Sequence, residues 1–360
     1  MGAPLADGGS QLAMPRVLKR ALSNLGLSAV AVVVAVCLIE VVLRLAGVPL
    51  DVHNVEFDSA LGWRGIPDFT GTFRQPFATL PLSQNSRGFR DAKRDLAKPE
   101  GVRRMLCVGD SFTWGWGVEH DAIYTHVLER MLIAEGRGVE VINAGVKGYG
   151  TVQCLLYLLD EGFEYAPDVV VYQVCMNDID ENATPLFENK WPRPYGVLTD
   201  DGELAIEGRP VPRPSLLEIV KYEVVRRSYL GRYLRERGVL LRIRTLVAKL
   251  MGPEPAPLTS EGEVDYPFRL FASAVARMHD ECAARGARLV VLIDFDVTPV
   301  RMRHWRVQCG HVDTRFILPY LEEAARAHGV PAYIPNDNHW TPEAHTWIAE
   351  YLLANVLSET

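Results

Sequence analysis

Cysteine is scarce and unpatterned in this chain of 360 residues. Six cysteines are too few for a disulfide framework in a protein of this length. None of Cys37, Cys107, Cys154, Cys175, Cys282 and Cys309 stands in a C-x-x-C pair, so a zinc ribbon or a thioredoxin-type motif has no support. No G-x-G-x-x-G follows a strand, which removes the dinucleotide fingerprint. No internal period exists, which removes solenoids, collagen and coiled coils. An excess of positive charge is also missing. Lys and Arg total 38 against 45 Asp and Glu, a net charge of -7, and nucleic acid as main partner is excluded on that balance. A hydrophobic share of 48% with 23% charged residues excludes global disorder.

Residues 25–39 are an unbroken run of small and apolar side chains, continued after Glu40 by Val41, Val42 and Leu43. This approaches the roughly 20 residues that cross a bilayer. Glu40 and Arg44 stand four apart near its end, where they can pair or reach the interface. Arg16, Lys19 and Arg20 precede the run, and Asp51, Glu56 and Asp58 follow it. The positive-inside rule then predicts a cytoplasmic tail over residues 1–20 and a signal-anchor over 21–47, with the remainder periplasmic or extracellular. A cleaved signal peptide needs small residues past the apolar core, but the candidate end reads Arg44-Leu45-Ala46. Cys37 is preceded by Val36 and followed by more apolar residues, unlike a lipoprotein site.

Residues 48–103 read as an irregular juxtamembrane region with Trp63, Pro67, Phe69, Phe73, Phe77 and Pro81 scattered through it. An alternation follows. Strands are expected at 105–108, 139–143, 169–174, 289–293 and 330–334, and helices at 122–134, 151–163, 268–285, 314–328 and 342–357. The continuous apolar run at 169–174 is that of a strand buried on both faces. Such repetition over 104–357 predicts a parallel sheet with helices on both sides. An insertion at about 180–264 interrupts it, bounded by proline clusters. Its middle, 215–250, reads as helical and carries nine Lys and Arg against three Glu. A solvated basic face is the simplest meaning of that charge. The functional alternatives are a cap beside the site, or a surface for anionic lipid headgroups or glycans.

Chemistry-bearing residues gather at the expected strand ends. Gly109-Asp110-Ser111 closes the first strand, with a helix N-terminus following to offer free N–H groups. Asn143-Ala144-Gly145-Val146-Lys147-Gly148-Tyr149-Gly150 closes the second, and its glycines let backbone N–H groups approach a ligand. Cys175-Met176-Asn177-Asp178 closes the third. Near the C-terminus stands Asn336-Asp337-Asn338-His339-Trp340, a carboxylate close to a histidine it could orient. Nucleophile, base, orienting acid and oxyanion donors are the parts that acyl transfer needs. His345 reads as packing, and His304, Cys309 and His311 as incidental rather than a metal site.

This constellation resembles the SGNH/GDSL hydrolase family, over about residues 100–180 and 265–357. Asn85-Ser86-Arg87-Gly88-Phe89-Arg90 is similar to a segment upstream of the first motif in membrane-anchored members. The resemblance implies an α/β, flavodoxin-like three-layer sandwich with a mostly parallel five-stranded sheet, preceded here by one transmembrane helix. It implies a serine esterase without metal or cofactor. Ser111 would be the nucleophile, His339 the base and Asp337 its orienting acid. Ser111, Gly148 (with Gly145 second) and Asn177 would form the oxyanion hole. Trp114, Trp116 and Trp340 flank the site as candidates for the substrate pocket. The expected substrate is an acyl ester, with O-acetyl groups on an envelope glycan as the specific form. The alternatives are an O-acyltransferase acting on an exported polysaccharide and a catalytically silent glycan-binding envelope protein. Two departures from the family pattern stand out. Cys175 occupies a usual glycine, and the acid–histidine motif reads D-x-H rather than D-x-x-H. An α/β-hydrolase order of Ser, Asp, His would instead nominate Asp294 or Asp296 as the acid.

Overall fold

A computed structural model describes residues 16–46, 54–75, 77–187, 191–217, 228–230 and 264–357. The chain forms two compact units, residues 1–50 with 220–254, and residues 51–219 with 255–360. In the first, helix α1 (Arg16–Leu45) contains a stretch, Asn24–Leu45, with mean hydropathy 2.7 and none of it buried by protein. It is long and apolar enough to cross a membrane.

The second unit is built on a five-stranded parallel sheet. Its strands are β5 (Arg103–Gly109), β6 (Val139–Gly145), β7 (Val169–Val174), β12 (Arg288–Ile293) and β13 (Asp313–Phe316), in the order β13-β12-β7-β5-β6. Alternation along β5 divides the core. Leu106 and Val108 face one layer, with α4 (Thr151–Asp160) and a helix at Tyr266–Ala283, here α6. Met105 and Cys107 face the other, with α3 (Tyr124–Ala134) and the C-terminal helix Pro342–Asn355, here α9. Both faces are covered, so the middles of the central strands are apolar, as a parallel sheet requires. The result is the three-layer α/β sandwich anticipated above.

The differences lie at the periphery. The fifth strand is Asp313–Phe316, not 330–334, and the helix expected at 314–328 begins only at Leu318. β13 is an edge strand with one neighbour and polar side chains, so it carries no apolar run. Within 330–334, Tyr333 makes a single antiparallel bridge to Trp340. A further helix, α7 (Pro299–Gln308), is polar around most of its surface and lacks apolar periodicity, although Thr298 caps it and proline starts it. The region 48–103 is ordered where described. It forms two antiparallel hairpins, β1–β2 (Val55–Asp58 with Gly62–Gly65) and β3–β4 (Thr70–Gln75 with Ala78–Ser83). Pro81 is tolerated because a two-stranded ribbon leaves one side of each strand without a ladder. The insertion opens with the short pairs β8–β9 (Leu186–Phe187 with Trp191–Pro192) and β10–β11 (Tyr195–Leu198 with Leu204–Glu207). Most of the helix expected at 215–250 lies outside the described residues.

Candidate active site

β5 ends at Gly109, and Ser111 opens the short helix α2 (Ser111–Trp114) directly beyond it. Asp110 caps that helix, its carboxylate accepting from the Phe112 N–H at 2.9 Å. Gly109 and Gly145 are register partners in the sheet. Both are pressed against α2: a Cβ would lie 2.5 Å from Thr113 Oγ1 at Gly109 and 2.4 Å from the Trp114 nitrogen at Gly145. Glycine here is a condition for α2 to sit on the sheet end.

The C-terminal motif comes to the same place through a tight turn. Asn336 takes φ +62, the Asp337 N–H donates to the Ile334 carbonyl at 2.9 Å, and the Ile334 N–H donates to the His339 carbonyl at 2.8 Å. Ser111 Oγ lies 2.7 Å from His339 Nε2, and His339 Nδ1 lies 2.5 Å from Asp337 Oδ1. A proton on Nδ1 satisfies Asp337 and leaves Nε2 to accept the serine hydroxyl. Burial alone would raise the Asp337 carboxyl, but hydrogen bonds and charge from His339 hold it below the usual range. Asp294 Oδ2 instead accepts from Trp340 Nε1 at 2.8 Å, and Asp296 is exposed; neither hydrogen-bonds His339.

Gly148, with φ +75, follows the end of β6, and a Cβ there would meet the Phe187 ring at 2.7 Å. The loop is pinned from outside the sheet, by Trp63 Nε1 donating to the Lys147 carbonyl at 3.0 Å and Tyr149 OH donating to the Trp63 carbonyl at 2.7 Å. The Gly145 N–H is committed to Asn143 Oδ1 at 2.9 Å, which leaves Gly148 as the glycine of this loop with an uncommitted N–H among the described residues. Asn177 stands in the first turn of α5 (Met176–Glu181), half-buried, its side-chain amide without a partner among the described residues. Cys175, at the usual glycine position, caps α5, and its thiol hydrogen-bonds Asp110. Burial, then the Asp110 charge, pushes that thiol up.

Three carboxyl groups are buried beneath the site. Burial raises Asp110, raises Asp178 well above its usual range with help from Asp110, and lifts Asp294 to about 7. Asp178 Oδ2 accepts from Tyr172 OH at 2.9 Å and from the Cys175 N–H at 3.0 Å, while its Oδ1 is buried without a hydrogen-bond partner.

The three tryptophans separate. Trp114 and Trp340 are 1% and 0% exposed, so neither can wall a substrate pocket. Trp114 packs on Phe73 and Leu82 of the β3–β4 hairpin, and Trp340 on Phe112 and Tyr124. Trp116 is half-buried in the site itself. Its ring stacks on His339 with centroids 5.3 Å apart, and its Nε1 lies 3.3 Å from Asp337 Oδ2. This contact with the acid and the histidine was not visible in the motif. His345 is buried, accepts from the Tyr124 N–H at 3.2 Å, and is driven by burial to about 3, a neutral packing residue. Cys309 is buried with its thiol on the Ala272 carbonyl, while His311 pairs with His279 at 4.6 Å between ring centroids.

The fold and the arrangement at its strand ends define a hydrolase acting on ester bonds. Residues 107–353 match the GDSL-like Lipase/Acylhydrolase family, and the chain belongs to that family. Among solved structures it is similar to TesA (15% identity, 70% of this chain and 97% of the other covered, TM-score 0.40). It is also similar to the psychrotrophic esterase EstA from Pseudoalteromonas sp. (11% identity, 71% and 98% covered, TM-score 0.39). A third is the acetyl xylan esterase AlAXEase (11% identity, 70% and 99% covered, TM-score 0.37). No curated protein matches the chain.

Proposed function

We propose that this protein is a membrane-anchored serine esterase in which Ser111, His339 and Asp337 act as nucleophile, base and orienting acid. The observation that carries the reading is the unbroken hydrogen-bonded relay, 2.7 Å from Ser111 to His339 and 2.5 Å from His339 to Asp337. Ser111 Oγ attacks the ester carbonyl while its proton passes to His339 Nε2. The oxyanion is held by the N–H groups of Ser111 and Gly148 and the Asn177 amide. Collapse expels the alcohol, which takes the proton from His339, and leaves acyl-Ser111. Water then attacks the acyl carbonyl with His339 again as base, releasing the carboxylic acid.

We read the substrate as a short acyl ester, an O-acetyl group on an envelope glycan, acted on outside the cytoplasm. Two features support the place of action outside the cytoplasm. The N-terminal helix would hold the enzyme at a membrane, and the flanking charges orient it with the larger unit outside. Fluorophosphonate labelling tests the chemistry: wild-type protein should label covalently and Ser111→Ala should not. Labelling at wild-type level in the mutant would refute the nucleophile. The acyl reading is checked by kcat/KM on p-nitrophenyl esters of increasing chain length, which should fall steadily from acetate onward.

A further inference from the structure

Three side chains with metal-binding atoms gather at the end of the sheet opposite the ester chemistry. His279 and Asp280 stand near the C-terminal end of α6, and His311 in the turn between α7 and β13. One imidazole nitrogen of His279, one of His311 and a carboxylate oxygen of Asp280 all lie within 4.8 Å of one another. His279 is half-buried, and the other two are exposed. α6 leads back to the start of β12, and His311 stands just before β13 begins. These are the entry ends of parallel strands, whereas Ser111 follows the exit end of β5. The length of a strand, roughly 20 Å, therefore separates the cluster from the nucleophile.

Contacts independent of these side chains bring the two segments together. Trp305 of α7 stacks on Phe271 of α6 with ring centroids 5.4 Å apart. Gln308 Nε2 donates to Ser273 Oγ at 2.7 Å, and the Cys309 thiol donates to the Ala272 carbonyl at 3.3 Å. The Val312 N–H donates to the Cys309 carbonyl at 3.0 Å and closes a turn around His311. The chain from Trp305 to His311 thus follows α6 toward its C-terminal end. There the imidazoles of His279 and His311 meet, with centroids 4.6 Å apart and planes at 75°. The backbone is already in place, so binding an ion would order side chains only.

The donor set selects the ion. Two imidazoles with one carboxylate suit zinc, while magnesium and calcium want oxygen ligands throughout. Zinc bonds of about 2.0–2.2 Å place tetrahedral ligands about 3.4 Å apart. His279 Nδ1 and Asp280 Oδ1 already stand at 3.3 Å. The widest separation, within 4.8 Å, closes by about 1.4 Å through side-chain rotation, which exposed side chains allow.

We propose that His279, Asp280 and His311 bind a zinc ion, with water as the fourth ligand, and that the ion pins the entry of the edge strand β13 to α6. This goes beyond the ester chemistry and does not depend on it. β13 has β12 as its one neighbour in the sheet, so its entry gains from a cross-link. The competing reading is a hydrogen-bonded His279–Asp280 pair beside a packed imidazole.

The test uses the full chain in detergent micelles, purified without a polyhistidine tag and stripped with a chelator. Zinc chloride is titrated calorimetrically at about pH 7.5, where an ordinary imidazole is neutral. Zinc should bind with a Kd of about 10 μM or tighter, and magnesium and calcium should not compete. Thermal unfolding followed by tryptophan fluorescence should shift upward by about 5 °C or more at a hundredfold excess over Kd. His311→Gln and Asp280→Asn alter exposed side chains, and each should weaken binding at least about tenfold. Their metal-free midpoints should stay within about 2 °C of wild type, which shows that they fold. These variants also distinguish this site from zinc held by His339 and Asp337. No uptake by wild-type protein at about 100 μM zinc overturns the proposal. So does wild-type affinity in His311→Gln. Uptake lost in the variants but without a thermal shift in wild type overturns the pinning of β13.

Discussion

Asp337 reaches His339 although a single residue separates them, and the turn explains how. Side chains two apart on a strand share a face but stand apart. With Asn336 at φ +62 the backbone folds back, and Asp337 Oδ1 receives both the His339 backbone N–H at 3.0 Å and the ring Nδ1 at 2.5 Å. The shortened motif therefore still delivers a carboxylate to the imidazole. Asp337→Asn should cost about 10⁴ in turnover by favouring the wrong tautomer. Asp294→Asn should cost less than about tenfold, because an amide oxygen can still accept from Trp340. Near-normal turnover in Asp337→Asn with loss in Asp294→Asn would reverse the assignment. Trp116→Phe keeps a ring against His339 and removes the N–H to Asp337. Loss of one long charged hydrogen bond should lower kcat about five- to tenfold with little change in KM. A change confined to KM would make Trp116 a substrate contact instead. Ser111 and Asn177 were legible as candidates because each stands in the first turn of a helix just past a strand end, and Asp337 and His339 because they stand close together in a recognisable motif, here in a turn. The tryptophans were not, since proximity in sequence to the site does not say which indole the core absorbs.

At the scale of elements, the central strands β5, β7 and β12 were legible because burial on both faces writes itself as an apolar run, and the edge strand β6 because the motif Asn143-Ala144-Gly145 closes it. β13 and α7 escaped because an edge strand and a polar helix leave no such trace. The hairpins before the sheet escaped for another reason: their residues pair with one another over short registers and serve the site rather than a core of their own. The segment 85–90 shows this service. Asn85 Oδ1 accepts the N–H groups of Arg87 and Phe89 at 2.9 and 3.1 Å, and Gly88 packs so closely on Gly65 that a Cβ would meet its carbonyl oxygen at 2.1 Å. That turn aims Arg90 under α2. Its guanidinium donates to the Gly115 carbonyl at 2.5 Å and the Val118 carbonyl at 3.0 Å, and lies 4.7 Å from the centre of the Trp114 ring. Burial lowers it to about 10, still a cation at neutral pH. Arg90→Leu should destabilise the protein by about 2–4 kcal/mol, leaving buried carbonyls without donors. Arg90→Lys should recover little, because one ammonium cannot reproduce the planar fork. A urea midpoint unchanged from wild type in Arg90→Leu would show that water replaces the cation there without cost.

On the scale of the whole molecule, two sets of buried groups pull stability in opposite directions as pH changes. Burial lowers His345 to about 3, His120 to about 4, and His126 in the same direction. Between about 6.5 and those values the unfolded chain binds protons that the folded chain refuses, so stability falls as pH falls. Asp110, Asp178 and Asp294 behave in the reverse sense. Their folded forms keep protons that the unfolded chain has lost, so between about 4 and their raised values stability rises as pH falls. For Asp294 that window closes at about 7. The two sets overlap between roughly pH 4 and 6.5, where they offset each other. Asp294→Asn removes one carboxyl from the balance without removing the acceptor for Trp340. The variant should be more stable than wild type at pH 8, where the native carboxylate is charged in a buried place. Its stability should then fall more steeply than wild type between pH 7 and pH 5, because the histidines are less opposed. Urea midpoints followed by tryptophan fluorescence across this range give the slopes, and all seven tryptophans lie in the unit that holds these groups. Parallel slopes in the two proteins would mean that Asp294 is ionised in the folded state well below neutral pH. The hydrogen bond from Trp340 would then hold a carboxylate rather than a carboxylic acid beside the His339 turn.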